Sequence, residues 1–187
     1  GQGYLTFLPL AETGNAVITN RMYNGKLKVQ DEILVQIVRE PMKTKQAGVT
    51  ANLSLSGNYV VVKNNGGKKA PIQVSSKLNR KQKNRFTALE ALQEIGSHCQ
   101  VVVRTNAGGL KEETTLIEEA AALAGKLAHI MEIADKRTCY SCLHTAAPDY
   151  LRFIQNAYTA EYDEIVTDLP EVYAILQEEL PKMSLSV

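Results

Sequence analysis

Arg104 and Thr105 follow the apolar run Gln100–Val103 and precede a glycine-bearing turn, in the pattern QVVVRTNAGG. The pattern predicts a buried strand that delivers a guanidinium, a hydroxyl and backbone N–H groups to the start of a helix at Leu110. Arginine supplies a planar fork of donors and a helix N-terminus supplies partial positive charge, so the turn is suited to bind a phosphate. The alternative is that Arg104 is an ordinary solvated charge at a strand end.

Charge is unevenly distributed along a chain whose net charge is only +1. Residues 1–111 contain 16 Lys or Arg and 6 Asp or Glu, whereas residues 112–187 contain 5 and 14. The basic stretch, which contains no acid, runs from residue 63 to residue 85 and carries Lys63, Lys68, Lys69, Lys77, Arg80, Lys81, Lys83 and Arg85. Such a stretch suits a polyanion such as RNA. A solvated loop without a ligand is the alternative.

Length and composition place the chain among ordinary globular proteins. It has 187 residues, of which 44% are apolar, and no Trp, which allows one to two domains with a core. No apolar run approaches the roughly 20 residues of a membrane-spanning helix, and no signal peptide is visible. The three cysteines, Cys99, Cys139 and Cys142, argue against a disulfide framework and for a reducing compartment, so we expect a cytoplasmic protein.

Short β-type segments dominate the first sixty residues, and helices enter afterwards. The sequence predicts strands over residues 4–10, 33–39, 49–55, 59–63 and 100–103. It predicts helices over residues 80–95 and 116–134. The last fifty residues are predicted to alternate strand, helix, strand and helix over residues 139–144, 149–158, 164–167 and 170–180. The expected fold class is therefore α+β.

The order of these segments resembles the amino-terminal half of the ribonuclease E/G family of endoribonucleases. The resemblance rests on LKVQDEILVQIVREPMKTKQAGVTANLSLSGNYVVV, on the basic stretch, and on QVVVRTNAGG followed by a long helix. In that family an S1-type OB barrel that binds RNA precedes a small 5′-sensor domain, which recognises a 5′-monophosphate, and an RNase H-like region. The resemblance implies a partial S1/OB-type barrel over residues 1–52, an α/β 5′-sensor domain over 53–136 and an RNase H-like βαβα segment over 137–187.

The resemblance also implies roles for individual residues. Arg104 and Thr105 match the family's phosphate-binding pair, which fits the donors that their side chains offer. Gly57 and Val61 match backbone positions near the terminal nucleotide.

Three further residues are implied to contact RNA. Lys45 matches a basic contact on the loop before the barrel's last strand, and Phe7 matches an aromatic side chain that stacks on a base. The alternative for Phe7 is an ordinary core aromatic. The family places an arginine near the end of the basic stretch, and this chain departs from the pattern with Ser76 followed by Lys77.

The implied partner is single-stranded, 5′-monophosphorylated RNA. The family's magnesium-holding carboxylates, in an Asp-X-Asn motif and a later Asp, and its zinc-linking cysteines lie beyond the matched stretch. We therefore expect no catalytic residue, no metal site and no cofactor in this chain, although the full-length family uses Mg and Zn. Only the last three strands of a five-stranded barrel are visible, so we expect open sheet edges that either a second copy, as a homo-oligomer, or disorder accommodates.

Two other function classes stay open on the residues alone. One is a non-catalytic OB-type RNA-binding module that binds internal and terminal phosphates alike, in which Arg104 is only structural. The other is a metal or redox protein that uses Cys139 and Cys142. On the predicted strand, positions i and i+3 face opposite ways, so these two thiols would need a turn to bind one metal.

We expect RNA affinity to fall as the salt concentration rises, because the basic stretch neutralises phosphates. The slope of log affinity against log salt is about −3 if a single strand contacts about four of the cations Lys45, Lys63, Lys68, Lys69, Lys77, Arg80, Lys81 and Lys83. Titrations of one short RNA at several salt concentrations measure this slope, with the charge reversal Glu171→Lys as a control that leaves it unchanged. A flat response would identify the basic stretch as a solvated loop.

Overall fold

The computed structural model describes residues 5–156 and 164–179, in two compact units that divide between His144 and Thr145. The strands are β1 (Thr6–Phe7), β2 (Val17–Ile18), β3 (Ile33–Leu34), β4 (Gln36–Arg39), β5 (Ala47–Thr50), β6 (Ser54–Ser56), β7 (Val60–Lys63), β8 (Gln73–Val74) and β9 (Gln100–Val103). The helices are α1 (Arg80–Thr87), α2 (Glu90–Ile95), α3 (Thr114–Ala134), α4 (Asp149–Asn156) and α5 (Pro170–Glu179). The fold is thus α+β, with several small sheets, as the sequence predicts.

Two small sheets form the first part of the first unit. β2 and β3 pair as an antiparallel ribbon, whereas β5 lies between parallel β1 and antiparallel β4. Phe7 is opposite Gly48 on one side, and an irregularity in β4 brings Arg39 opposite Gly48 on the other. Phe7, Gly48 and Arg39 therefore form one row across the three strands.

The main sheet has the order β6-β7-β9-β8. β7 and β9 are antiparallel, and their register places Val60 opposite Val103 and Val62 opposite Val101. These four valines are fully buried on one face of the sheet, where the other core side chains are Leu53, Leu78, Phe86, Leu92, Cys99, Ala107, Leu116, Ala120 and Leu127. Because side chains alternate along a strand, Val61 and Val102 are on the opposite face.

The predicted helix over residues 80–95 is interrupted, so the sequence prediction is wrong there. α1 begins with a capping box, in which the side chains of Asn79 and Gln82 each accept from the other's backbone N–H. It ends where the Thr87 hydroxyl donates to two carbonyls of the preceding turn. Leu89 then has an extended backbone and precedes α2. Apolar residues recur every third position across the break, from Phe86 to Ile95, which is why the sequence concealed it.

The long helix predicted over residues 116–134 is confirmed and starts two residues earlier, but no helix starts at Leu110. After β9 the chain forms a short 3₁₀ turn, Thr105–Gly109, and α3 starts only at Thr114. The buried side of α3 carries Leu116, Ala120, Leu127, Ile130 and Ala134. The expectation that an α-helix N-terminus directly follows Arg104 is therefore wrong, because the glycine-bearing turn closes on itself through 3₁₀ bonds first.

The first predicted strand is shorter than expected. Only Thr6–Phe7 pairs, because Pro9 lacks an N–H for a sheet and precedes the 3₁₀ turn Leu10–Thr13. Tyr4 lies outside the described residues.

The strands predicted over residues 139–144 and 164–167 are not formed. Residues 138–141 make a turn, in which the Ser141 N–H donates to the Thr138 carbonyl and Tyr140 has a φ of 68°. Apolar and β-branched residues alone do not make a strand without a neighbour to pair with. This part of the predicted βαβα alternation keeps only its helices among the described residues.

In the second unit, α4 and α5 pack around the buried side chains of Leu151 and Leu176. They match the predicted helices, whose ends at residues 157–158 and 180 lie outside the described ranges. None of the helices formed by the described residues has the length and apolar character needed to cross a bilayer.

Candidate phosphate- and RNA-binding site

Arg104 is tied to the turn between β6 and β7. Its backbone N–H donates to the Tyr59 carbonyl at 2.7 Å, and its guanidinium Nη1 donates to the Gly57 carbonyl. The structure therefore brings together Arg104 and Gly57, two of the residues that the family resemblance implies for the phosphate site. The short strand pairing β7–β9 places Arg104 beside this turn, because Arg104 and Tyr59 immediately flank the paired segments.

Thr105 meets a second turn that follows β8. The hydroxyls of Thr105 and Ser75 are 2.8 Å apart, and the Ser75 N–H donates to the Val103 carbonyl at 2.9 Å. The Lys77 N–H donates to Ser75 Oγ at 3.4 Å, so the exposed Lys77 lies in the same turn. Sequence reasoning missed Ser75, since the parallel pairing of the two-residue strand β8 leaves little trace in the pattern.

Glu119 of α3 was also missed, although it accepts three backbone hydrogen bonds at this end of the sheet. Its carboxylate accepts the N–H of Asn58 at 2.6 Å, of Tyr59 at 2.8 Å and of Val60 at 3.0 Å. The signal that could have found it is an acid three residues after Leu116, on the apolar side of an amphipathic helix. A carboxylate there needs polar partners, and the turn supplies them.

Gly57 lies directly against the carboxyl group of Glu119. A Cβ built on Gly57 would lie 2.4–2.8 Å from the carboxyl atoms of Glu119. The Gly57 N–H donates to the Val60 carbonyl at 2.8 Å, which closes the turn. A side chain at residue 57 would therefore displace the Glu119 carboxylate.

Val61 lies one residue into β7, opposite Ser56 on β6 and Val102 on β9. It is half-buried on the sheet face that points away from the core valines. The four residues assigned to the phosphate thus occupy the β6–β7 hairpin and the end of β9.

A groove of about 680 Å³ lies between the two parts of the first unit. Phe7, Arg39 and Gly48 line it from the small sheet, and Lys63 and Gln100 line it from the main sheet. Phe7 is 57% exposed, so it is not a core aromatic. An exposed ring beside two exposed cations is suited to stack on a base and to attract its phosphate. Sequence reasoning named Phe7 but gave Arg39 no role.

Polar contacts hold the walls of this groove together. The side-chain amides of Asn15 and Asn64 donate to each other's backbone carbonyls at 3.3 and 3.0 Å. The Glu12 carboxylate accepts from Thr50 Oγ1 at 2.7 Å and from Asn52 Nδ2 at 2.9 Å. The hydrogen bonds from Thr50 and Asn52 lower the pKa of Glu12 below its ordinary value.

Lys45 is not among the residues that line the groove. It is exposed in a tight turn, in which Met42 and Lys45 exchange backbone hydrogen bonds of 2.8 and 3.1 Å. The turn precedes β5, as expected for the loop before a strand.

No group of three or more His, Cys, Asp or Glu side chains among residues 5–156 and 164–179 is arranged to hold a metal ion. Cys139 and Cys142 are exposed thiols on either side of a turned segment rather than on a strand. The third function class, a metal or redox protein, gains no ligand set from these residues.

Comparison with known proteins identifies relatives over most of the chain. Residues 54–186 match the model of the Ribonuclease E/G family. The chain is 29% identical over 143 residues to the ribonuclease E of Nostoc sp. strain PCC 7120, which covers 76% of this chain and 20% of that protein. It is 24% identical over 184 residues to the ribonuclease E of Escherichia coli K12, covering 93% and 17%. The chain thus spans about a fifth of the length of these curated relatives.

We expect Gly57→Ala to lower the free energy of unfolding by about 1–3 kcal/mol. The new methyl group displaces the Glu119 carboxylate, which then no longer accepts hydrogen bonds from three backbone N–H groups of the turn. Gly109→Ala is the matched control, since no atom lies within 4 Å of its Cβ position. Urea unfolding of the two variants and the wild type measures the difference. Equal stability of all three proteins would contradict the role assigned to this close approach.

Proposed function

Because the chain belongs to the ribonuclease E/G family, we propose that it binds the 5′ end of single-stranded RNA and holds the terminal monophosphate with Arg104 and Thr105. The observation that carries the proposal is the position of Arg104, whose backbone and side chain are both anchored to the β6–β7 turn. A guanidinium held in one orientation loses less conformational freedom when it binds an anion.

A terminal monophosphate differs from an internal phosphate in charge and in the number of oxygens that it exposes. It carries about −1.5 to −2 charges near neutral pH, against −1 for an internal diester. Arg104 supplies charge-assisted donors and Thr105 a hydroxyl, and Ser75 keeps that hydroxyl in place at 2.8 Å. This combination favours the terminal group over phosphates further along the strand.

The remainder of the RNA is proposed to cross the groove and the basic stretch. Phe7 stacks on a base, Arg39 and Lys63 neutralise phosphates, and Lys77 and Lys45 add positive charge further out. In this proposal residues 1–52 act as part of an S1/OB-type RNA-binding barrel, residues 53–136 as the 5′ sensor and residues 137–187 as the beginning of an RNase H-like region.

The whole protein to which these parts belong is proposed to be a magnesium-dependent endoribonuclease of RNA processing in the cytoplasm. Under this proposal, the chain described here selects the RNA and does not cleave it. The family membership supports the proposal, since the relatives carry the name ribonuclease E.

A general RNA-binding module is the second candidate. It is favoured by the bond from the Arg104 guanidinium to the Gly57 carbonyl, which is a structural role for the same side chain. If the chain is a general RNA-binding module, the basic stretch binds terminal and internal phosphates with equal affinity.

We expect Arg104→Ala and Thr105→Val each to cost about 1–3 kcal/mol of binding free energy for a 5′-monophosphorylated RNA, because each removes donors to the terminal phosphate. Affinity for the 5′-hydroxyl version should change by no more than a few tenths of a kcal/mol. Calorimetry with both RNAs at one salt concentration measures the difference. The matched control is Arg80→Ala, an exposed cation of the basic stretch, which should weaken both RNAs equally. Equal losses for Arg104→Ala would support the general module instead.

We expect Phe7→Ala to weaken both RNAs alike by about 1–3 kcal/mol, because it removes one stacking platform. The unfolding free energy should barely change, since the ring is 57% exposed. Phe153→Ala serves as the control, because that ring is 67% exposed in the second unit. Fluorescence titrations with labelled oligonucleotides measure the affinities, and an unchanged affinity would show that Phe7 does not stack on RNA.

A further inference from the structure

We infer that Glu119 is a positioning residue that holds the β6–β7 turn in the conformation needed to discriminate a 5′-phosphate. The inference rests on the proposed function and adds a residue to it that contacts no RNA itself. Glu119 acts through Gly57 and Arg104.

The turn offers three consecutive backbone donors to one anion. The N–H groups of Asn58, Tyr59 and Val60 converge on the Glu119 carboxylate at 2.6–3.0 Å. Converging backbone N–H groups of this kind typically bind phosphates or other anions. Here a side chain of the same protein fills that place, so the RNA phosphate is directed to the Arg104 side of the turn.

Gly57 connects the carboxylate to the guanidinium. Its Cα approaches Glu119 so closely that a Cβ would overlap the carboxyl group, and its carbonyl accepts from Arg104 Nη1. The two charged side chains therefore hold one residue from two directions. A shift of the turn away from Glu119 moves the carbonyl that orients Arg104.

The carboxylate is itself held by the core. Leu116 and Ala120, which flank Glu119 on α3, are fully buried against the main sheet. The direction of the Glu119 side chain is thus set by the packing of the helix, and the turn follows it. The position of the site is therefore determined by the packing of α3 against the main sheet.

The chemistry of the three bonds predicts what a neutral replacement does. A glutamine has one acceptor oxygen, and its amide group is a donor that cannot accept an N–H. Glu119→Gln therefore loses at least one of the three bonds and the charge, with almost unchanged shape. Glu119→Asp keeps the charge but is shorter by one methylene group.

The test measures the ratio of affinities for 5′-monophosphorylated and 5′-hydroxyl versions of one short RNA, with the full chain. We expect Glu119→Gln to reduce this ratio about tenfold, with unchanged affinity for the 5′-hydroxyl RNA, and Glu119→Asp to give an intermediate ratio. Glu118→Gln is the matched control, because it makes the same charge change at the exposed neighbouring position and should keep the wild-type ratio. Hydrogen exchange at the amides of Asn58, Tyr59 and Val60 should accelerate in Glu119→Gln, while exchange in β9 stays slow.

The outcomes separate this inference from the proposed function. A wild type that prefers the 5′-phosphate, together with a Glu119→Gln variant that keeps the full preference, overturns the positioning role and leaves the proposed function intact. A wild type without any preference overturns both. If Glu119→Gln does not fold, Glu119→Asp decides: a reduced ratio supports the positioning role, and an unchanged ratio overturns it.

Discussion

The antiparallel pairing of β7 with β9 is the constraint on which the candidate site depends. Hydrophobic burial fixes its register, because a slip by one residue would turn the four core valines to the other face of the sheet. Once Val60 is opposite Val103, Arg104 must lie beside Tyr59, and their 2.7 Å backbone bond follows. The polar site is therefore positioned by apolar residues that take no part in binding.

Some cations of the basic stretch have structural contacts and do not only add positive charge to the surface. Arg85 forms an ion pair with Glu113 at 2.6 Å, and Lys83 Nζ donates to the Ser76 carbonyl at 3.0 Å. These two cations connect α1 to the segment before α3 and to the turn that carries Lys77. The stretch thus shapes the region around Thr105 as well as charging it.

The periodic spacing of apolar residues predicted those strands and helices whose formation depends mainly on burying one face. The valine-rich strands β7 and β9, the position of α3 and the α+β class were readable, because burial imposes a period on the sequence. Ser75 and Glu119 were not, since a single polar residue has no period and its partners lie far away along the chain. The predicted strands near residues 139–144 and 164–167 failed for the complementary reason: β-propensity was present without a strand to pair with. The family resemblance supplied the candidate residues, and the contacts among them came from the tertiary structure.

The close approach of Gly57 to Glu119 also constrains how this protein can evolve. A side chain at position 57 and a carboxylate at position 119 compete for the same volume, so neither position can change alone without leaving a clash or an unsatisfied turn. Among homologues the two positions should therefore covary: glycine should accompany an acid, and a larger residue should accompany its loss. Covariation of these two positions, which lie about sixty residues apart in the chain, would be a trace of this steric constraint in the sequences of homologues.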